Sequence, residues 1–278
     1  MDRFLKIKEK IIQYANSDED IKGIIAFGSS TRDEEKADEY SDLDLLIVST
    51  NIDKWYSGEY PSLLGDMNIS FIEPTLGGGK ERRCIYGDSL DVDMIVFTPA
   101  QFTKALEDGV AEWVLNRGYT LLYDSEDYAD AIKKYVRRTC SKPDMSENEF
   151  NNMVNDFYFH NIWACKKLLR GEIWSAKMCV DAYLKNYLLK MIELYCSKVT
   201  GVDVWHDGRF IDKWATDDIL EQLGYCFAHY NKDDIFNALN ATSELFTKLA
   251  VAIASKESYA FPDKARECAR MYLVNANK

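Results

Sequence analysis

The chain has 278 residues, 47% of them hydrophobic and 13% aromatic, which is enough apolar material for one large core or two ordinary ones and excludes a disordered chain. A formal net charge of −12 argues against binding nucleic acid through a basic surface, and it is uneven: residues 1–140 carry 27 acidic and 17 basic side chains (net −10), the remainder 19 and 17 (net −2). No apolar run reaches the roughly 18 residues of a membrane span and MDRFLKIKEK has no apolar signal segment, so a cytoplasmic protein without membrane contact is expected.

In chain order, Phe4, Ile7, Ile11, Ile12 and Ala15 recur at helical spacing and predict a helix over 3–16. The polar SDEDIK leads into GIIAF, a short buried strand that ends at Gly28, and residues 29–37 should begin a short helix or turn. Leu43–Val48 reads as a strand buried on both faces at its far end. MNISFIE, RRCIYG and VDMIVF read as three further short strands. The LGGGK loop between the first two fails as a phosphate loop, because Pro74 takes the first glycine position and Glu81 follows the lysine; a hairpin turn is expected. Residues 99–116 predict a helix and GYTLLYD a last strand.

Beyond about Ser146 the pattern changes to helical periods alone, over 150–169, 174–196, 217–229 and 234–256. Strands with helices first and helices only afterwards make an α+β chain of two domains, a mixed sheet with helices over 1–143 and an all-α domain over 144–278, with the polar, Pro143-containing SKPDMS as the boundary. Seven cysteines without metal-ligand rhythm read as reduced, mostly buried thiols, and His160, His206 and His229 are too scattered for a zinc site.

The chemistry concentrates in GSSTRDEEKADEYSDLDLLIV, residues 28–48. Gly28 and Ser29 close a strand and open a turn whose outward N–H groups suit a phosphate, with serine hydroxyls as added donors; an ordinary N-cap would look the same. Asp42 and Asp44 share one face of a strand, about 6–7 Å apart at Cα. Two such charges repel unless a cation lies between them, and carboxylate, water and phosphate oxygens are the ligands Mg²⁺ prefers. A second acidic strand, LDVDMIVF, carries Asp91 and Asp93, of which Asp93 lies deeper in the apolar run; one of them completes the site if that strand lies beside Leu43–Val48.

At this point the chain resembles a known family. Gly28-Ser29-x-x-Arg32 followed by Ser41-Asp42-Leu43-Asp44-Leu45 resembles the signature of polymerase-β type nucleotidyltransferases, in which Gly-Ser grips the triphosphate and the two aspartates hold Mg²⁺. In the helical half, Phe150-Asn151-Asn152 with Asn155-Asp156-Phe157, Leu169-Arg170-Gly171-Glu172-Ile173 with Ala176-Lys177 and Asp181, and Gly208-Arg209-Phe210 with Lys213-Trp214 are similar to the aminoglycoside 6-adenylyltransferases, enzymes that modify streptomycin. Asp93 matches the aspartate of their third acidic strand, and the resemblance runs over roughly residues 1–245. Where those enzymes read Gly-Ser-Arg-Thr-Asn this chain has GSSTR, so Ser30 replaces their arginine.

The resemblance implies a polymerase-β-like nucleotidyltransferase domain followed by a helical substrate domain, with ATP as co-substrate and two Mg²⁺ ions. It implies Asp42, Asp44 and Asp93 as metal ligands, Asp93 serving either there or as general base. Gly28, Ser29, Arg32, Lys177 and Arg209 would meet the nucleotide phosphates, and Asp156 and Asp181 the cationic groups of an aminoglycoside acceptor. A lincosamide or protein hydroxyl as acceptor, or a nucleotide-binding regulator without catalysis, are the other readings.

Overall fold

The computed structural model describes residues 2–75, 79–137 and 143–276, and the chain divides into two compact units, Met1–Ser141 and Lys142–Lys278. It is an α+β protein, with a sheet domain at the N-terminus and a helical region after it.

The first unit opens with helix α1 (Leu5–Ser17), which buries Ile7, Ile11 and Ala15 at four-residue spacing. Strands β1 (Ile21–Phe27) and β2 (Leu43–Ser49) follow, joined through a single 3₁₀ turn, Gly28–Ser30, and an irregular acidic stretch, so of the short helix or turn expected after Gly28 it is the turn that forms. Next come the short helices α2 (Ile52–Tyr56) and α3 (Glu59–Leu64), then β3 (Met67–Pro74), β4 (Lys80–Tyr86) and β5 (Leu90–Phe97). Strands β3 and β4 form the expected hairpin, with Pro74 opposite Lys80; residues 76–78 of the LGGGK loop lie outside the described residues.

The helix predicted over 99–116 is two helices, α4 (Pro99–Glu107) and α5 (Val110–Leu115), parted at Gly109, whose φ of 77° belongs to the left-handed region that glycine adopts without steric cost. Thr98 and Gln101 start α4 with a reciprocal capping box, Pro99 filling the first helical position. Strand β6 (Tyr119–Asp124) and helix α6 (Tyr128–Tyr135) complete the unit.

The sheet runs β3-β4-β5-β2-β1-β6 and is mixed: β2 and β5 are parallel, the other pairs antiparallel. Period-two alternation sends Leu43, Leu45 and Ile47 of β2 into one core, with α1, Trp55 and Met94, and Leu46 and Val48 into a second core, with Phe102, Leu115 and Ile132 of α4–α6. Strand β2 is therefore buried on both faces beyond its acidic mouth.

In the second unit, Ser146 and Glu149 form a capping box that starts α7 (Glu147–Leu169). Helix α8 (Ile173–Met178) passes through a π-helical turn, Cys179–Tyr183, into α9 (Leu184–Tyr195), which ends in another, Cys196–Thr200. Helices α10 (Ile211–Trp214), α11 (Asp217–Leu223), α12 (Lys232–Glu257) and α13 (Asp263–Ala276) follow. The helical period over 217–229 therefore stops at Leu223, and the residues after it lie between helices. Among the described residues no helix is long and apolar enough to cross a membrane. Cys84, Cys165, Cys179, Cys196 and Cys226 are free and buried, as expected of reduced thiols, and Cys268 is free and exposed.

Helices α7 and α12 meet through Phe157 and Phe246, which stack with ring centroids 3.5 Å apart, both fully buried. Phe246→Ala removes an interior aromatic ring that its neighbours cannot replace, and should lower the unfolding free energy by about 3–5 kcal/mol in urea titration; a loss under about 1 kcal/mol would contradict this packing.

Candidate active site

Three carboxylates converge on one face of the sheet. The pairing of β1 with β2 puts Phe27 opposite Asp44, and the parallel pairing of β2 with β5 puts Asp44 opposite Asp93. Asp42 stands one residue before β2. One oxygen from each of Asp42, Asp44 and Asp93 lies within 4.8 Å of the others. Asp93, not Asp91, is the buried member of its pair; Asp91 is exposed.

The Gly28–Ser30 turn lies directly against this cluster. Gly28 has φ +70°, and a Cβ at that position would fall 2.0 Å from Asp44 Oδ2, so no side chain fits there while Asp44 keeps its place. The turn is tied down by its own groups: the Ser30 hydroxyl donates to the Phe27 carbonyl at 3.2 Å, and the Thr31 hydroxyl to those of Gly28 and Gly118 at 3.2 and 3.0 Å. Ser29 is buried and its hydroxyl oxygen has no hydrogen-bond partner, an exposed cost for a group at a mere helix cap. Arg32 donates from Nε to the Glu35 carbonyl at 2.5 Å.

The electrostatics of Asp93 follow from its burial. Desolvation pushes its carboxyl up to about 7; Arg83 pulls in the other direction, and the negative charges of Glu81, Asp42 and Asp91 add to the rise. Its Oδ2 lies 3.4 Å from Arg83 Nε, while Oδ1 is buried without a partner. An orphaned carboxylate oxygen beside two more carboxylates is a donor set that fits a hard divalent cation, which would offset both the repulsion and the missing hydrogen bond.

In the second unit, Asp156 on α7 accepts hydrogen bonds from Tyr183 (3.0 Å, Oδ1) and Tyr187 (3.0 Å, Oδ2), and His160 Nδ1 lies 2.7 Å from Oδ1. The His160 and Tyr183 rings lie 4.2 Å apart, and the Tyr183 hydroxyl is pushed above the usual phenol range by its hydrogen bonds to Tyr187 and Asp156 and by burial. Lys177 and Asp181, separately expected to meet nucleotide and acceptor, form an ion pair with each other across one helical turn; the second oxygen of Asp181 is buried without a partner. Arg209 is exposed, and its carbonyl accepts from Trp214 Nε1 at 2.7 Å. Lys185, whose ammonium is pushed down to about 8 by burial, donates to the Val180 carbonyl and the Thr242 hydroxyl at 3.0 and 2.7 Å.

Sequence reasoning missed the residues around Asp93. Arg83 on β4 pairs across the sheet with Asp93, and its Nε reaches Glu81 at 2.6 Å and Glu73 at 2.7 Å. The signal was present: RRCIYGDSLDVD is a hairpin around GDS, and counting outward from the turn sets Arg83 opposite Asp93. It also missed His160, Tyr183 and Tyr187 as partners of Asp156, although His160 stands four residues on along the same helix.

The sequence model of the streptomycin adenylyltransferase family matches residues 1–276. A curated aminoglycoside 6-adenylyltransferase of Bacillus subtilis (strain 168) is 20% identical over 268 residues, covering 91% of this chain and 90% of its own length. Another, of Staphylococcus aureus, is 22% identical over 270 residues and covered to 93% in both directions. Among solved structures, the crystal structure of an aminoglycoside 6-adenyltransferase from Bacillus subtilis aligns with a TM-score of 0.48 at 17% identity, over 98% of each chain.

The state of Asp93 gives a pH test. A cation held by this carboxylate would have to displace its proton, so if Asp93 is a ligand metal binding should strengthen as pH rises through about 7. The ionised fraction rises about tenfold from pH 6 to pH 8, and Mn²⁺ affinity measured by titration should follow, levelling off above that range. Asp93→Asn should flatten the profile; a wild-type affinity equal at pH 6 and pH 8 would contradict a ligand role for Asp93.

Proposed function

Because the chain belongs to the streptomycin adenylyltransferase family, we propose that it is an aminoglycoside O-nucleotidyltransferase that moves AMP from Mg-ATP to a hydroxyl of streptomycin or a close relative and releases pyrophosphate. The observation that carries this reading is the cluster of Asp42, Asp44 and Asp93 within 4.8 Å, set against a glycine turn with an unpartnered buried hydroxyl.

In this reading the N–H groups of the Gly28–Ser30 turn and the Ser29 hydroxyl donate to the triphosphate. Asp42, Asp44 and Asp93 hold Mg²⁺, two ions in all. Bound there, the metal supplies positive charge to the phosphate oxygens and leaving group of an in-line displacement. The acceptor oxygen forms a bond to the α-phosphorus as the α–β bridging bond breaks, and a carboxylate of the cluster receives the hydroxyl proton.

Arg32, Lys177 and Arg209 are assigned to the nucleotide phosphates, and Asp156 and Asp181 to the cationic groups of the acceptor. Asp156 suits this role in a particular way. Three of the roughly four acceptor positions of its carboxylate are taken by His160, Tyr183 and Tyr187, which fix its orientation and leave room for one more donor. The net charge of −10 on residues 1–140 favours capture of a polycation over an anionic or neutral acceptor.

Asp42→Asn and Asp44→Asn should each abolish AMP transfer to streptomycin while leaving the circular dichroism spectrum unchanged. Retention of more than about a tenth of wild-type kcat, some 1.4 kcal/mol of barrier, would contradict a direct role for that carboxylate. Pyrophosphate release with ATP and Mg²⁺ that does not depend on any aminoglycoside would remove the acceptor assignment.

A further inference from the structure

The side chains around Asp93 form an arrangement that the proposed chemistry does not by itself require. Strand β4 lies between β3 and β5, and its two adjacent arginines part to opposite faces. Arg82 turns to one face, where it bonds Ser70 and the Tyr56 carbonyl. Arg83 turns to the face of the carboxylate cluster, where its Nε–H donates to Glu81 Oε1 at 2.6 Å and lies 2.7 Å from Glu73 Oε1 and 3.4 Å from Asp93 Oδ2.

One guanidinium thus faces three carboxylates. Glu81 belongs to its own strand and is buried; Glu73 comes from β3 and is exposed enough to be solvated. Neutralising buried Asp93 would need a single close ion pair, yet Asp93 makes the longest of the three contacts. All three contacts are made by the one Nε atom, which the two glutamates hold closely, and the Asp93 oxygen that faces it is Oδ2. The other oxygen, Oδ1, is left buried without a protein partner.

We infer that Arg83 is a positioning residue: anchored by Glu73 and Glu81, it holds Asp93 by Oδ2 and so presents Oδ1 as the oxygen available to a cation shared with Asp42 and Asp44. The inference rests on the proposed reading of those three carboxylates as the metal-holding group. Outer partners of ligating carboxylates set ligand orientation in metal sites, and Arg83 would act on Asp93 as an ion pair at 3.4 Å while its Nε–H is donated to Glu81. A guanidinium suits the task because its rigid fork keeps its place against several carboxylates at once, which an ammonium on a flexible stem does not.

A role confined to charge makes the opposite prediction. If Arg83 were only a nearby positive charge, its removal would tighten metal binding by lifting its repulsion of the cation, at a pH where Asp93 is ionised in every variant. At lower pH the same charge favours ionised Asp93, so the affinities are compared above about pH 7. The test is Mn²⁺ affinity, followed by the electron paramagnetic resonance of free Mn²⁺ in titrations of the full chain as wild type, Arg83→Gln and Arg83→Lys. Arg83→Gln should bind Mn²⁺ about ten- to a hundredfold more weakly, as loss of an orienting partner does elsewhere. Arg83→Lys, with the charge but not the fork, should fall between. The AMP-transfer rate of Arg83→Gln should recover in part as Mg²⁺ is raised, with KM for ATP at saturating metal unchanged.

Wild-type or tighter Mn²⁺ binding by Arg83→Gln overturns the inference and leaves the reading of the three carboxylates standing. Wild-type protein that binds no Mn²⁺ overturns that reading and the inference with it. Should Arg83→Gln not fold, Arg83→Lys decides alone: weakened binding supports the positioning role and wild-type affinity overturns it.

Discussion

The site depends on one close approach. Asp44 Oδ2 occupies the space that a side chain at position 28 would fill, so the turn after β1 and the acidic mouth of β2 can exist together only because residue 28 is glycine. Strand register then carries that constraint across the sheet, from Phe27 to Asp44, from Asp44 to Asp93 and from Asp93 to Arg83. The result is a row of carboxylates with the Gly28–Ser30 turn directly against it. The parallel pairing of β2 and β5 is what brings Asp93 into the row, and it requires a crossover, which α2, α3 and the β3–β4 hairpin provide.

Stability comes from elsewhere. The sheet is sandwiched by two cores, one under α1 and Trp55 and one under α4–α6, both built from aliphatic and aromatic residues far larger in number than the polar groups of the site. Those cores can hold in place three mutually repelling carboxylates, one of them buried, a buried serine hydroxyl without a partner, and a left-handed turn. The repelling carboxylates and the unpartnered hydroxyl oppose folding, and in the proposed reading a cation and a polyphosphate would offset that cost.

Much of this was legible in the sequence. All six strands are expected from the sequence, although KERRCIY of β4 opens on four charged residues, and the Asp42–Asp44 spacing places both carboxylates on one face without further information. What was not legible depended on partners distant in the chain. The break between α4 and α5 is set by the conformation of Gly109, which a helical period does not reveal, and the short helices α2 and α3 hold too few residues to show a period at all. Lys177 and Asp181, read separately as ligands for two different molecules, are each other's partners at a spacing of four on helical backbone. Asp156 is given by the sequence only as an acidic residue for a cationic acceptor, and two tyrosines about thirty residues on, which no local pattern connects to it, complete its surroundings. Arg83 lies between these cases, since the hairpin that sets it opposite Asp93 can be counted from the turn but its grip by Glu73 needs the third strand.

The central claim is that Asp42, Asp44 and Asp93 hold the metal that accompanies a nucleotide on the Gly28 turn. Anomalous diffraction from crystals grown with Mn²⁺ and a non-hydrolysable ATP analogue tests it most directly. The account predicts an anomalous peak bonded to all three carboxylates, with nucleotide phosphate density against the Gly28–Ser30 backbone. A well-ordered nucleotide bound away from that turn, or Mn²⁺ with none of the three aspartates among its ligands, would contradict it.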